Sequence, residues 1–163
     1  MFREMRRLKQ SLPLADSIAI LERNTSGVLA VSGDDDYPYA VPLSFIYQNG
    51  KLYFHCAKSG HKLDAIAKNP KASFCIIDQD TIVPKEYTTY FRSVIVFGQA
   101  CLLQDEAEKK AILQKLGNKY APLEPPQGLL QEIDSQIKHT NIIVLTIEHI
   151  SGKEAIELVK AKK

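Results

Sequence analysis

The sequence predicts a mainly β fold, an antiparallel β-barrel with peripheral helices. Three observations carry that prediction. Six or so apolar segments of strand character follow one another mostly in hairpin order, with helices inserted between them, rather than in the strict strand–helix alternation of a parallel sheet. Asn49-Gly50 stands between two of these segments and marks a type I′ turn, whose central residues both need φ > 0. Segment 93–103 is apolar on both alternating faces: Val94, Val96, Ala100 and Leu102 on one, Ile95, Phe97, Cys101 and Leu103 on the other. Such a strand must be covered twice, here by a barrel interior and by a helix or a second subunit. The chain has 163 residues, enough for one domain, which we place at 1–155 with a basic tail at 156–163.

Segment 16–23 reads as a short helix with Asp16 or Ser17 as N-cap. A first strand at 27–32 stops at the turn Gly33-Asp34-Asp35-Asp36. Segment 37–47 follows as one strand. Pro38 and Pro42 cannot donate to a ladder, so this strand is an edge or is bulged where Pro42 sits. The return strand after Asn49-Gly50 is 51–57.

Segment 59–68 is a helix capped by Ser59, striped by Leu63, Ile66 and Ala67, and ended by Asn69-Pro70. A strand at 72–77, a polar stretch at 78–86 and the longest strand at 87–103 come next. Asp105-Glu106-Ala107-Glu108 opens a helix to about Lys119 with Ile112 and Leu116 inward. Pro122, Pro125 and Pro126 make 120–127 a loop before a second helix at 128–138. A final strand covers 141–148, and the Lys-rich tail beyond Leu158 is expected to fray.

Apolar residues make up 45% and charged residues 25%, which excludes a disordered or collagen-like chain. No apolar run approaches the roughly 20 residues of a membrane span, and the basic N-terminus lacks an apolar signal core. The net charge of +2 hides an uneven distribution. Residues 1–9 carry +3 and residues 160–163 another +3, leaving 10–159 at −4. That argues against a nucleic-acid-binding face across the fold. Cys56, Cys75 and Cys101 are odd in number, lie in strand-like apolar surroundings without a Cys-x-x-Cys pair and read as buried free thiols of a cytoplasmic protein.

The dinucleotide, P-loop and nucleophile-elbow motifs are all missing, and no carboxylate joins His55 and His61 at metal-ligand spacing, so no metal site is expected. The constructive signal is Ser59-Gly60-His61-Lys62, a helix start directly after a strand. Unpaired N–H groups and the positive end of the helix dipole meet Lys58, Lys62 and His61 there, an arrangement suited to phosphate. A plainly capped helix with a surface lysine is the competing reading. On the 37–47 strand, the prolines leave backbone groups near Val41 and Leu43 free beside Tyr39. These would suit a planar heteroaromatic ring with an imide edge, or the prolines merely blunt an edge strand. Arg92, after Tyr90-Phe91 and before Ser93, is a phosphate partner or a surface charge.

In this order, 37–45 (Tyr-Pro-Tyr-Ala-Val-Pro-Leu-Ser-Phe), 52–55 (Leu-Tyr-Phe-His), 59–66 (Ser-Gly-His-Lys-Leu-Asp-Ala-Ile) and 91–98 (Phe-Arg-Ser-Val-Ile-Val-Phe-Gly) resemble the pyridoxamine-phosphate-oxidase-like flavoproteins. Within them the chain is similar to the nitroimidazole-resistance (Nim-type) reductases. The resemblance spans about 1–155 and implies a split β-barrel that dimerises and binds FMN in a cleft between subunits. Carried over by motif, Tyr39, Ala40, Val41, Pro42, Leu43 and Ser44 lie along the flavin ring, with Phe54 and His55 at the end of the paired strand. Ser59, Gly60, His61 and Lys62 hold the phosphate, and Arg92 and Ser93 approach from the long strand. Tyr39, His55 and His61 are the candidate proton donors to substrate.

His61-Lys62 replaces the Arg-Lys pair of authentic pyridoxamine phosphate oxidases, Ser93 replaces a Gln, and their C-terminal basic motif is missing, which argues against vitamin B6 oxidation. The resemblance thus implies an FMN-dependent oxidoreductase. It would pass electrons from a reduced nicotinamide or other donor to a small acceptor such as a nitroaromatic. The alternative is a flavin- or haem-binding module without turnover, with deazaflavin a further ligand. His139 and His149 lack an obvious haem-ligand context.

Overall fold

A computed structural model describes residues 2–162; Met1 and Lys163, at the ends of the expected domain and tail, lie outside the described residues. Its elements are α1 (Leu14–Arg23), β1 (Ser26–Ser32), β2 (Pro38–Ser44), β3 (Ile46–Gln48), β4 (Lys51–Ala57), α2 (His61–Lys68), β5 (Lys71–Val83), β6 (Thr88–Leu102), α3 (Glu106–Tyr120), α4 (Pro126–Gln136), β7 (Thr140–Glu154) and α5 (Ile156–Ala161). Short 3-10 turns at Leu8–Gln10, Asp34–Asp36 and Pro84–Glu86 complete the order.

All seven strands form one antiparallel sheet in the order β2-β1-β5-β6-β7-β4-β3. β2 and β3 are its opposite edges, yet only Phe45 separates them in the chain. Two edges joined by one residue must meet in space. The sheet therefore curls into a barrel, left split where β2 and β3 make no ladder.

The expected single strand 37–47 is thus two strands, broken at Phe45 and not at Pro42, whose register with Val28 is regular. The reason is distant in sequence. The Phe45 N–H donates to the Tyr120 hydroxyl (2.9 Å), and its carbonyl accepts from Lys119 (3.3 Å). Tyr120 also donates to the Thr25 carbonyl. A residue whose backbone is satisfied by α3 can leave the ladder at no hydrogen-bonding cost.

The Asn49-Gly50 turn forms as expected, with φ 48° and 75° and Gln48 opposite Lys51. Other boundaries moved. α1 begins at Leu14, so Asp16 and Ser17 lie inside it rather than capping it; Ser17 is buried and its hydroxyl donates back to the Pro13 carbonyl (3.2 Å). The polar stretch after Ile77 continues as strand to Val83, past a bulge at Asp78, because it pairs with 88–92 of β6. Of the tail beyond Leu158, residues 159–161 are helical rather than frayed, and Lys162 bonds the buried Glu154 carboxylate (2.7 Å).

Inside the barrel Phe45 and Phe54 each meet Phe74 edge-on, at ring separations of 4.9 Å. Leu29, Ile76, Val94, Val96 and Leu145 fill the remainder, all without exposed surface. A second apolar layer lies outside β4 and β7, where Tyr53, Ile142 and Val144 pack on Ile112 and Leu116 of α3. Asp105 caps α3 through the Glu108 N–H (2.7 Å).

Candidate functional site

The corner between β4 and α2 holds the expected phosphate residues, with one change of role. Gly60, not Ser59, is the N-cap, at φ 139°, a conformation that favours glycine. Its carbonyl accepts from the Leu63 and Asp64 N–H groups, so those of His61 and Lys62 have no intrahelical partner. A Cβ at Gly60 would meet nothing within 4 Å, so the corner is open in front. Ser59 is exposed and Lys62 half-buried. Among the described residues neither Lys58 nor Lys62 pairs with a carboxylate.

A third lysine joins them that sequence reasoning missed. Lys109 of α3 is buried, and its ammonium donates to the Ile137 carbonyl (2.7 Å). Burial, then the charge of Lys58, pull its pKa below the ordinary lysine value. Only packing α3 against β4 reveals this neighbour.

His61 is engaged elsewhere. Its ring lies 4.2 Å from that of Tyr39, and its Nε2 is 3.6 Å from Asp34 Oδ2. Asp34 also accepts from Lys68 (3.0 Å); that hydrogen bond and charge hold its carboxyl below the usual range. Tyr39 and His61, two of the three candidate proton donors, therefore lie together, with an aspartate beside His61 that its polar turn gave no reason to single out.

β2 is the edge strand the prolines predicted, but its free groups differ from those expected. The Gly33 N–H donates to Tyr37 O (2.8 Å), which makes Gly33–Tyr37 a hydrogen-bonded pair and, by alternation, Tyr39, Val41 and Leu43 as well. Their backbone groups face β1. The open edge belongs to Pro38, Ala40, Pro42 and Ser44, of which only Ala40 and Ser44 have an N–H. Tyr39, Val41 and Leu43 instead turn their side chains onto the core, while Ala40 and Pro42 are exposed.

Phe54 has no exposed surface and packs on Phe74, so it supports the corner from beneath and does not line it. His55, its neighbour on β4, points the other way. With Ser44 it lies on the strand side of a cavity of about 470 Å³ roofed by α3 and α4.

Arg92 is not brought to this corner. Its guanidinium lies 3.4 Å from Asp78 and 3.3 Å from Glu154, two buried carboxylates. Burial alone would raise the Asp78 carboxyl, but hydrogen bonds from Arg23 and Asn24 and the Arg23 charge outweigh it and hold the pKa low. α2 runs out beside Ala100, where Pro70 O accepts from the Ala100 N–H (2.7 Å). The corner itself follows Ala57 of β4, which pairs with Thr140 at the start of β7, whereas Arg92 and Ser93 pair with Glu154 and Lys153 at the other end of that strand.

Among the described residues no cluster of three His, Cys, Asp or Glu side chains could hold a metal ion, and no helix is long and apolar enough to cross a membrane.

The sequence model of a family described as pyridoxamine 5'-phosphate oxidase matches residues 14–154. No curated protein matches the chain. Among solved structures, the chain is similar to the flavocytochrome Anf3 from Azotobacter vinelandii, at 20% identity and TM-score 0.76 over 94% of this chain and 72% of that one. It also resembles a FAD-binding protein from Mesorhizobium loti (24% identity, TM-score 0.66, 90% and 97% covered). A candidate 5-nitroimidazole antibiotic resistance protein from Bacteroides thetaiotaomicron matches at 17% identity and TM-score 0.71, over 88% and 86%. At these identities the likenesses establish the fold, a mainly antiparallel split barrel with peripheral helices.

Proposed function

The chain belongs to the pyridoxamine 5'-phosphate oxidase family, and on that premise we propose that it binds a flavin, FMN, and uses it to reduce a small acceptor of the nitroimidazole kind. The observation that carries this reading is the open corner at Gly60. It presents unpaired lysines and spare α2 amides, on the same side of the barrel as Tyr39 of the β2 edge. In this reading Lys58, Lys62 and the His61 and Lys62 N–H groups hold the phosphate, and Ser59 adds a hydroxyl. The Ala40 and Ser44 N–H groups, alternating along the edge with the carbonyls of Pro38 and Pro42, meet the polar edge of the ring. Tyr39 fixes His61, and His55 faces the substrate. The redox chemistry is the flavin's, electron transfer from a reduced nicotinamide or other donor to the acceptor, while the chain binds and orients.

In this reading Arg92, which pairs with Asp78 and Glu154, is left out of the phosphate site of its own chain. We further propose a homodimer formed through the bare outer face of β1, β5 and β6. There Val28, Cys75 and Ile95 are lateral neighbours in register, and Val28 and Ile95 are exposed. A cytoplasmic setting fits three free thiols, although only Cys56 is buried as expected, Cys75 being half-buried and Cys101 exposed on the outer face of β6.

The test is uptake of FMN by the purified chain. Lys62→Ala should weaken it by about 1–3 kcal/mol, the range for a lost hydrogen bond to a charged group. Affinity unchanged by that substitution would move the phosphate elsewhere. Anaerobic reduction by NADH or NADPH, then reoxidation by a 5-nitroimidazole, tests turnover; a flavin that binds but is never reoxidised makes the chain a binding module. A Soret band would signal haem instead.

A further inference from the structure

The cavity beneath α3 and α4 has a division of chemistry that the flavin reading draws on only at Ser44 and His55. Four residues of α3 line it at helical spacing: Leu113, Leu116, Gly117 and Tyr120. Four of α4 do the same: Leu129, Glu132, Ile133 and Gln136. Each helix therefore turns one whole face to the cavity. Leucine and isoleucine make the walls, and Ser44, His55 and Thr140 supply polar groups from the strands. Gly117 sets the closeness of the roof, since a Cβ there would lie 2.2 Å from Leu129 Cδ1. At about 470 Å³ the space falls in the ordinary range for small-molecule sites, roughly 300–1,000 Å³.

Charge is the selective feature. Glu132 is the one carboxylate on the lining, and no lysine or arginine lies there. It is exposed and has no cationic partner among the described residues. An anion entering this cavity would lose water and meet a like charge, whereas a neutral ring loses little and a cation gains a partner.

We propose that this cavity is the acceptor-binding chamber and that Glu132 makes it selective for neutral or cationic aromatic molecules over anionic ones. The proposal rests on the flavin reading for its place in a reaction, but not for its binding chemistry. The phosphate corner and the chamber then divide the labour, lysines taking the anion of the cofactor and Glu132 excluding anions from the substrate space.

The experiment is equilibrium binding, without reductant, of nitrobenzene, 4-nitrobenzylamine (a cation at neutral pH) and 4-nitrobenzoate to the full chain saturated with FMN. Nitrobenzene and the amine should bind more tightly than the benzoate. Glu132→Gln, a surface change with no packing role, should cut the amine-to-benzoate preference by about fivefold, the upper worth of an exposed ion pair. Leu129→Trp should fill the chamber and abolish binding of all three while FMN retention stays unchanged. Equal binding of amine and benzoate, or a preference that survives Glu132→Gln, overturns the proposal. Loss of FMN from a folded Leu129→Trp protein overturns it too, because the cavity would then be the flavin's own berth. If the chain takes up no FMN but the three probes still rank as expected, the chamber stands and the flavin reading fails.

Discussion

Where α3 covers them, at Tyr53, Ile142 and Val144, β4 and β7 are buried on both faces, whereas β5 and β6 are buried on one. Successive residues of β7 alternate between two apolar layers: Ile143 and Leu145 enter the barrel, and Ile142 and Val144 meet α3. On β5 and β6 the inner residues Phe74, Ile76, Val94 and Val96 are equally enclosed, but outward Ile77 is 66% and Ile95 38% exposed. Both pairs are antiparallel, apolar and adjacent in one sheet. The difference is the α3–α4 hairpin, which covers one half and leaves the other with Val28, Ile77 and Ile95 exposed and Phe2 lying against Phe97. The covered half acquires a cavity and His55; the bare half keeps an apolar face that a second copy would bury.

The largest expected effect comes from the covered half. Ile142→Ala removes a side chain with no exposed surface and should cost about 2–5 kcal/mol in chemical denaturation. A cost below 1 kcal/mol would mean that α3 covers β7 only loosely, and the contrast would collapse. Next is the seam where the halves meet. Tyr120→Phe leaves the Phe45 N–H and the Thr25 carbonyl without their partner and should cost about 1–3 kcal/mol by the same measurement.

The ion-pair cluster at the far end of β6 should lose about 1.5 kcal/mol on acidification. Because the folded pKa of Asp78 is depressed, its contribution is present above the unfolded carboxylate value near 4 and is lost as pH falls through the lower folded value. Tm measured from pH 7 downward should therefore drop more steeply in the parent than in Asp78→Asn. Parallel curves would show that Arg23 and Arg92 do not stabilise this carboxylate.

The smallest effect on folding belongs to the bare half. Ile77→Ser should change stability by no more than about 0.5 kcal/mol under conditions where the chain is a monomer. It should nevertheless raise the dissociation constant of a dimer measured by sedimentation. A chain that is monomeric before the substitution removes the second-copy explanation of that face.

Local signals were legible in proportion to how locally they are satisfied. Asn49-Gly50, the 51–57 strand, the Asp105 cap and the inward Ile112 and Leu116 need only their neighbours, and all stand as expected. The break at Phe45 was invisible because its donor and acceptor lie about 75 positions away, on α3. Strand structure beyond Asp78 was hidden in the same way, its carboxylate being satisfied by Arg23, Asn24 and Arg92. At the site, glycine at position 60 took the cap from Ser59 because the chain needs a positive φ there, a requirement set by how α2 leaves β4.

By itself the sequence determined the fold class, the edge position of the proline strand, the hairpin at Asn49-Gly50 and the corner at 59–62. Each follows from residue chemistry acting over a few positions. Only the tertiary structure decided that one strand became two barrel edges and that Arg92 serves Asp78 and Glu154 rather than the corner. It also decided that Lys109, Asp34 and Glu132 belong beside the candidate site. Those outcomes depend on which distant groups meet when the sheet curls and α3 packs across it. Burial then requires every polar group to find a partner, whatever its separation in the chain.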